Sequence, residues 1–356
     1  MPDAELRYSM NEVKRAGKVL RKPQPEGITR ERLHALDVFD NWQACHSFPL
    51  NHFYHLLTDA AEAVPYGVNP ANVVQRRKRQ SSIIEKLQRY PGMQLTTMQD
   101  IAGCRAIVRF IEDVQPFIAE FQQRSAPHKL HDVYDYIAQP KPSGYRSVHL
   151  VYKFQSDNRS FNGRFVEVQV RSQWQHAWAT TIELVDLFQR QSLKTGYGDP
   201  RWKRFFALVG SAIARMESSS PVPGVPADRD ERNKEMAELL NTLEVAEKLR
   251  LYEFAATSIE SGLEDVPHGR QMRYFVMEIS LNPLKVEVRG YREEEVKEAY
   301  ADVANAEKNN PDVVLVAASS LEQLREAYPN WIVDISNFDM IVKVALLGDF
   351  PHEFRL

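Results

Sequence analysis

The chain has 356 residues, of which 43% are hydrophobic and 26% are charged, and these values are ordinary for a folded globular protein. This length predicts roughly two domains. No stretch approaches the roughly 18 consecutive apolar residues that a membrane-spanning helix needs, and the first residues lack the apolar core of a secretory signal. The sequence therefore excludes an integral membrane protein, and we expect a cytoplasmic location.

The two cysteines, Cys45 and Cys104, do not form a CxxC pair. A zinc site built from cysteines is excluded, because such sites use closely spaced thiolates. Isolated cysteines also fit a reducing compartment.

The net charge of −3 hides an uneven distribution along the chain. Residues 1–223 contain 30 Lys and Arg against 22 Asp and Glu, a net charge of +8, whereas residues 224–356 contain 15 against 26, a net charge of −11. This asymmetry indicates two units that bind different partners, or that bind each other.

Predicted helices come first in the chain, and strands that alternate with helices follow. Leu33, Leu36 and Phe39 recur at helical spacing behind a Thr29 N-cap, which predicts two helices over residues 29–63. The later elements are a basic helix at 71–90, strands at 100–111, 145–154 and 163–172, and helices at 113–124, 173–189 and 200–217.

Residues 218–226, SSSPVPGVP, have the composition of a linker. Beyond them we predict a long charged helix at 227–260, a hairpin at 273–291, a helix at 293–308, a VVLVA strand, a short helix at 320–327 and a final strand and helix. The predicted organisation is an N-terminal helical region (1–70), a central domain (71–217), the linker (218–226) and an acidic α+β domain (227–356).

Four segments carry side chains suited to nucleotide chemistry. In the first, Lys78, Ser82 and Lys86 fall at i, i+4 and i+8 of the predicted helix and share one stripe. Two ammonium groups and a hydroxyl can hold a polyphosphate by charge-assisted hydrogen bonds. The alternative is an ordinary solvated basic face.

The second and third segments supply separate carboxylates. Asp100 opens a predicted strand, and in VEVQVR the polar Glu167, Gln169 and Arg171 alternate with valines. Carboxylates such as Asp100 and Glu167 suit Mg²⁺. The alternatives are a turn residue at position 100 and a solvent-facing strand at 167.

The fourth segment, PKPSGYRSVH at 140–149, predicts a tight loop that presents Lys141, Tyr145 and Arg146, with His149 on the strand face of Tyr145. A ring beside fixed cations suits a nucleobase, whose stacking contributes about 1–3 kcal/mol. The alternative for Tyr145 is core packing. The chain has no GxxxxGK[ST] or GxGxxG loop, so the four segments favour a phosphoryl transferase outside the P-loop and kinase classes.

In order and spacing over residues 70–190, these motifs resemble the synthetase domain of RelA/SpoT-type alarmone synthetases. The matching motifs are R-x-K-x(3)-S-x(3)-K from Arg76, DIAGCR, PKPSGYRSVH, VEVQVRS and QHAWA. The resemblance implies an α+β fold with a nucleotidyltransferase-like mixed sheet flanked by helices. It also implies transfer of the β,γ-pyrophosphate of ATP to a ribose 3′-hydroxyl, with release of AMP.

The resemblance implies specific roles on the donor side. The ATP-binding residues would be Arg76, Lys78, Ser82, Lys86 and Arg105. Of these, the two arginines would sandwich the adenine and the other three would hold the phosphates. Asp100 and Glu167 would hold Mg²⁺, and Glu167 would also draw the proton from the acceptor hydroxyl.

On the acceptor side, the resemblance implies that Tyr145 stacks the base, and Asp100, Glu167 and Tyr145 are the predicted catalytic residues. The surrounding acceptor-binding residues would be Lys141, Arg146, His149 and Gln169. His176 in QHAWA is expected to be structural. Product hydrolysis is not expected, because the HD dipeptide His131–Asp132 lies after Asp100, whereas the hydrolase of long family members precedes the synthetase. Counterparts of their C-terminal regulatory domains are not expected in this sequence.

The flanking segments NWQACHSFPLN, QHAWATTIE and WKRFFALVGSAIARMES resemble toxic small alarmone synthetases. Some of these modify the 3′ CCA end of tRNA, and some are fused to an antitoxin domain in phage defence. The net charge of residues 1–223, with basic patches at 76–79 and 201–204, favours tRNA as the acceptor; GDP, GTP or an adenine nucleotide is the alternative.

The acidic C-terminal domain is expected to inhibit the basic domain until a trigger such as a phage protein relieves it. A dimerisation or folding module is the alternative for this domain. For the whole chain, a non-catalytic protein that binds a nucleotide or RNA is the remaining alternative.

Overall fold

The computed structural model describes residues 4–23, 29–64, 72–78, 80–189, 193, 198–265, 272–281, 284–306, 313–317 and 331–347. Helices and strands are mixed along the chain, and a five-stranded sheet flanked by helices confirms the predicted α+β fold class. The chain divides into two compact units: residues 1–136 with 147–173, and residues 137–146 with 174–356. No helix in these described ranges is long and apolar enough to cross a membrane.

The first unit contains the five-stranded sheet. Its helices are α1 (Met10–Arg21), α2 (Arg30–Ala44), α3 (Ser47–Ala63), α4 (Gln80–Arg89) and α5 (Val114–Arg124). Its strands are β1 (Val73–Arg77), β2 (Ala102–Val108), β3 (Lys129–Asp135), β4 (Val148–Lys153) and β5 (Phe165–Ser172), in the order β1-β2-β5-β4-β3. The pair β2–β5 is parallel and the other pairs are antiparallel. The predicted helices at 29–63 and 113–124 and the three predicted strands are confirmed.

Alternation along β5 positions the polar side chains of the sheet. Val166, Val168 and Val170 are completely buried, and because successive strand residues point to opposite faces, Glu167 and Gln169 share the other face. The burial of these valines against helices fixes the register of the strand, since a slip of one residue would exchange the two faces.

The predicted helix over residues 71–90 is wrong in its first half. Residues 73–77 form β1, paired antiparallel with β2, and α4 begins only at Gln80. Val73 and Val74 are β-branched and join the edge of an existing sheet, and these sheet contacts outweigh the helical pattern of the basic run. Lys78 therefore follows a strand and does not share a helical stripe with Ser82 and Lys86.

The second unit is built mainly from helices and a small antiparallel sheet. The helices are α6 (Gln173–Phe188), α7 (Pro200–Met216), α8 (Arg229–Thr242), α9 (Val245–Asp265), α10 (Val296–Ala306) and α11 (Trp331–Leu347). The strands are β6 (Tyr274–Leu281), β7 (Leu284–Tyr291) and β8 (Val313–Ala317), in the order β7-β6-β8. The predicted hairpin, the VVLVA strand and the helices at 173–189, 200–217 and 293–308 are confirmed.

Two predictions for the C-terminal part are corrected, and one lies outside the described residues. The long helix at 227–260 is interrupted between α8 and α9, where Glu244 has a φ of 52°. The chain from Trp331 is helical where a final strand and helix were predicted. The short helix predicted at 320–327 lies outside the described residues.

Residues 218–226 are packed within the second unit rather than free. Arg146 donates hydrogen bonds to Ser219 Oγ at 3.1 Å and to the carbonyl of Ser220, and Val222 is buried. The division into compact units also does not fall at this segment, because residues on both sides of it belong to the second unit. The Ser- and Pro-rich composition therefore marks an irregular segment held by a buried arginine.

The loop at residues 137–146 packs against α7 through two glycines. A Cβ on Gly210 would lie 2.7 Å from the Gly144 Cα, and Gly144 itself has a φ of +92°. A side chain at either position would force two backbone segments apart. The glycine in PKPSGYR thus serves both the turn and the close approach of the helix.

We predict that Gly210→Ala destabilises the protein even though alanine is the better helix former. The added methyl group would overpack a backbone contact, a change that typically costs about 1–3 kcal/mol. Gly92→Ala is the matched control, because a Cβ at Gly92 meets nothing within 4 Å. Urea unfolding of both variants measures the effect. A Gly210→Ala protein as stable as the wild type would contradict the contact assigned between Gly210 and Gly144.

Candidate functional site

Two predicted phosphate-binding lysines converge on one carboxylate in the first unit. Lys78 Nζ lies 2.7 Å and Lys86 Nζ 2.8 Å from the same Oδ2 atom of Asp100. Lys78 comes from the end of β1, where its backbone N–H donates to the Ile101 carbonyl at 2.8 Å, and Lys86 comes from α4. Ser82 lies one helical turn before Lys86 and is partly buried.

The Asp100 carboxylate is strongly held in its ionised form. Burial by itself raises its pKa, but the charges and hydrogen bonds of Lys78 and Lys86 outweigh burial and lower the pKa to about 2. Its second oxygen, Oδ1, is buried and has no hydrogen-bond partner among the described residues. A buried anionic oxygen without a partner is a ligand position suited to a cation.

The second predicted carboxylate lies in a directed hydrogen-bond network on the same sheet. Arg105 Nε donates to Gln169 Oε1 at 3.4 Å, and Gln169 Nε2 donates to Glu167 Oε2 at 2.7 Å. His149 Nδ1 lies 2.9 Å from Glu167 Oε1. The register explains the order, because Arg105, Gln169 and His149 are direct cross-strand neighbours on β2, β5 and β4.

This network keeps Glu167 ionised. Burial raises its pKa, as does the nearby charge of Asp100, but the hydrogen bond and charge of His149 and the hydrogen bond from Gln169 outweigh both, and the pKa is lowered overall. Both oxygens of Glu167 are therefore oriented by donors from neighbouring strand positions. An ionised, oriented carboxylate of this kind can accept a proton from a hydroxyl group.

The residues present fit a Mg²⁺ ion. Mg²⁺ in nucleotide enzymes is commonly held by one or two carboxylates together with substrate phosphates. Asp100 and Glu167 supply two carboxylates that are close enough for the charge of one to shift the pKa of the other. Within the described residues there is no cluster of three or more His, Cys, Asp or Glu that would hold a metal by itself. The donor set therefore suits an ion that arrives with a phosphorylated substrate.

An aromatic pair that the sequence analysis missed adjoins this network. The Tyr136 ring meets the His149 ring edge-on, with centroids 5.1 Å apart, and lies parallel to the Tyr134 ring at 6.1 Å. Both tyrosines lie at the end of the β3 region, on alternate residues. The alternation in HDVYDYI could have indicated this shared face.

The predicted adenine-binding arginines have different outcomes. Arg105 is buried, with 6% of its surface exposed, and its guanidinium contacts Gln169. Arg76 is paired with Gly103 in the sheet register, but its side chain lies outside the described residues. The adenine sandwich therefore stays a prediction.

The remaining predicted acceptor residues lie in the second unit, on the 137–146 loop. Tyr145 is 8% exposed and its ring packs against Trp178, with centroids 6.2 Å apart. Lys141 Nζ lies over the Tyr145 ring at 5.2 Å from its centroid, which is a cation–π geometry. The cation and the ring that the sequence predicted together are thus in contact, and the ring is largely buried.

Arg146 occupies a position that differs from the predicted one. It is only 2% exposed, and its guanidinium donates to the carbonyl of Ile137 and to residues 219–220. These contacts give Arg146 a structural role in holding the loop, and its predicted role in acceptor binding stays a prediction. The sequence could not distinguish acceptor binding from loop support, because an arginine next to Tyr145 is compatible with either role.

Comparison with known proteins identifies the region that contains these motifs. Residues 75–185 match the family model described as "Region found in RelA / SpoT proteins", in agreement with the predicted synthetase domain. The GTP pyrophosphokinase YjbM of Bacillus subtilis is 39% identical over 111 residues, which cover 30% of this chain and 52% of that protein. The GTP pyrophosphokinase YwaC of the same species is 35% identical over 124 residues, which cover 32% and 58%.

The chain thus spans about half the length of the curated relatives it matches. Among solved structures, small alarmone synthetase 1 from Bacillus subtilis bound to its product pppGpp is similar to this chain with a TM-score of 0.44 and 26% identity. That similarity covers 51% of this chain and 93% of the other.

We predict that Asp100→Asn loses stability in a pH-dependent manner. The pKa of Asp100 is lowered from 3.8 to about 2, so its contribution, on the order of 2 kcal/mol, is present above the unfolded pKa and is lost as the pH falls through the folded pKa. The difference in unfolding free energy between wild type and Asp100→Asn should be constant above about pH 5 and shrink towards pH 2.

Asp157→Asn, at an exposed aspartate, is the matched control and should show little loss at any pH. Chemical unfolding of the three proteins across this pH range measures the effect. A difference between wild type and Asp100→Asn that did not change with pH would contradict the assigned ion pairs.

Proposed function

We propose that this chain is an ATP-dependent pyrophosphokinase that transfers the β,γ-diphosphate of ATP to the 3′-hydroxyl of a nucleotide. The observation that carries the proposal is the ionised Asp100 shared by Lys78 and Lys86, inside a region that matches RelA/SpoT proteins. Two cations and a carboxylate with one oxygen that has no partner among the described residues suit a metal-bound triphosphate.

On the donor side, Lys78 and Lys86 exchange Asp100 for the phosphates of ATP. Without a nucleotide, Lys78 and Lys86 neutralise Asp100. With ATP bound, both ammonium groups would move to phosphate oxygens, and Asp100 and Glu167 would hold Mg²⁺. When bound, Mg²⁺ neutralises negative charge that develops on the phosphates. Ser82, one turn before Lys86, adds a hydroxyl donor to the same phosphates.

On the acceptor side, Glu167 is the proposed general base. The 3′-oxygen forms a bond to the β-phosphorus, the bond from the β-phosphorus to the bridging oxygen of the α-phosphate breaks, AMP leaves, and the hydroxyl proton passes to Glu167. His149 and Gln169 hold the two carboxylate oxygens in place. A positioned base contributes typically about 10²–10⁴ in rate.

A guanine nucleotide is the acceptor we propose first. The two relatives named above are GTP pyrophosphokinases. The basic patch at 201–204 is also partly neutralised, because Arg201 pairs with Asp199 at 2.6 Å and Arg204 pairs with Glu235 at 2.6 Å. A patch already paired with carboxylates offers less attraction to an RNA backbone.

The tRNA 3′ end stays the second candidate. Residues 1–223 carry a net charge of +8. A long polyanion such as tRNA would be attracted electrostatically to positive charges distributed over these residues. The predicted sequence relationship to toxic synthetases and to phage defence rests on the flanking motifs alone. An adenine nucleotide would use the same chemistry and differs only in the base.

Autoinhibition by residues 227–356 and release by a phage protein also stay predictions. The C-terminal residues share one compact unit with α6 and α7, and their buried contacts there favour the alternative of a folding module. A detachable inhibitor would be expected to use exposed, weakly packed contacts.

We predict that label from γ-labelled ATP appears on GDP or GTP when the full chain is incubated separately with GDP, GTP, ATP or deacylated tRNA. Thin-layer chromatography and denaturing gels resolve the labelled products. Label on tRNA alone would show that the acceptor is the tRNA 3′ end and not a guanine nucleotide. If none of these acceptors were labelled, the proposed transferase activity would be wrong.

We also predict that Glu167→Gln lowers kcat by about 10²-fold or more, the loss typical of a missing general base. The amide keeps the size of the side chain but cannot accept the proton. The same exchange at exposed Glu112 is the matched control and should retain activity. A Glu167→Gln protein that kept full activity would argue against the assigned base, and one that still inhibited growth without activity would favour a binding protein.

A further inference from the structure

The C-terminal helix α11 packs into the core of the second unit. Ile335, Phe338 and Ile341 are each at most 4% exposed. They recur at three-residue spacing, so they line one side of the helix. The Phe338 ring contacts Phe205 and Phe206 of α7, with centroid distances of 6.3 Å and 5.7 Å. The helix is therefore bound through a buried apolar face.

A buried polar contact ties α11 to α6 as well. Asp334 Oδ2 accepts a hydrogen bond from Thr180 Oγ1 at 3.0 Å and lies 3.2 Å from His176 Nε2. The Asp334 and His176 side chains are at most 8% exposed. A buried carboxylate retains such a position only with partners of this kind. The contact falls within the QHAWA motif, whose histidine His176 is predicted to be structural.

From α11, a continuous series of aromatic rings reaches Tyr145. The ring of Phe338 meets Phe206 at 5.7 Å, Phe206 meets Trp178 at 5.7 Å, and Trp178 meets Tyr145 at 6.2 Å. All three distances lie in the range of direct aromatic contacts. Trp178 Nε1 also donates to the Phe206 carbonyl at 2.8 Å, which fixes the orientation of the indole ring.

The loop that carries Tyr145 is held on the same helices at both of its flanks. Gly144 lies against the backbone of Gly210 in α7. Arg146 binds the carbonyl of Ile137 and the segment that directly follows α7. Because closely packed side chains transmit displacements rather than absorb them, the position of this loop depends on α7 and on the rings behind it.

We propose that α11 is a built-in support of the 137–146 loop, with Asp334 and Phe338 as positioning residues that set the affinity for the acceptor. The inference rests on the proposed function and on the expectation from the sequence that Lys141 and Tyr145 bind the acceptor. The donor lysines lie in the other unit. Loss of the support should therefore weaken acceptor binding while leaving ATP binding unchanged. This role differs from inhibition, because removal of the helix would lower activity rather than release it.

The test uses Asp334→Asn and Phe338→Leu in the full chain. The matched controls are Asp339→Asn and Leu347→Ala on the same helix, since Asp339 pairs only with Lys343 among the residues described and Leu347 is 76% exposed. We expect the KM for GDP or GTP to rise about five- to tenfold in the first pair, a size typical of coupling through packed residues. The KM for ATP and the controls should not change.

Hydrogen exchange of the 137–146 backbone amides is measured on the same proteins without substrate. Exchange should become faster in Asp334→Asn and Phe338→Leu and stay unchanged in both controls. If exchange in this loop is unaltered, or if the KM values for ATP and acceptor rise together, the proposed support is wrong. A wild type without transferase activity would overturn the proposed function, while the exchange data would still decide whether α11 supports the loop.

Discussion

The carboxylate of Asp100, buried and shared by two ammonium groups, is the interaction on which the account of this protein depends. Because Lys78 and Lys86 come from a strand end and from the following helix, their common partner fixes the distance between these elements. The same arrangement holds the two ammonium groups beside Asp100 Oδ1, an anionic oxygen that has no partner among the described residues. The two ion pairs offset the cost of burying the Asp100 carboxylate, and under the proposed function a metal-bound polyphosphate would take over as the partner of all these groups.

Much of the sheet and its polar face could be predicted from the sequence, because alternation in VEVQVRS has a single consistent interpretation. The position of Lys78 could not be predicted, because the basic residues before it fit a helical pattern locally. Residues 73–77 form a strand because they pair with β2. The buried contacts of Arg146 could not be predicted for a related reason. The motif around Arg146 predicts acceptor binding. Its hydrogen-bond partners at residues 219–220 are distant in the chain, and no local sequence pattern predicts them.

The C-terminal part illustrates the same limit on a larger scale. Its acidic charge and the Ser- and Pro-rich segment before it suggested a tethered, separate domain. The domain boundary itself stays a prediction, but acidic and apolar residues of this part contact α7, because Glu235 pairs with Arg204 and Phe338 packs against Phe205 and Phe206. Net charge describes how a segment attracts partners in solution, but it does not reveal which apolar face a helix buries.

The central claim is that Asp100 exchanges its two lysines for a metal ion while the lysines bind the phosphates of ATP. Calorimetric titration with a non-hydrolysable ATP analogue, with and without Mg²⁺, tests this most directly. The account predicts that Mg²⁺ tightens binding to the wild type by about tenfold or more, equivalent to about 1.4 kcal/mol, and that this effect is lost in Asp100→Asn. An equal Mg²⁺ effect in both proteins would contradict it.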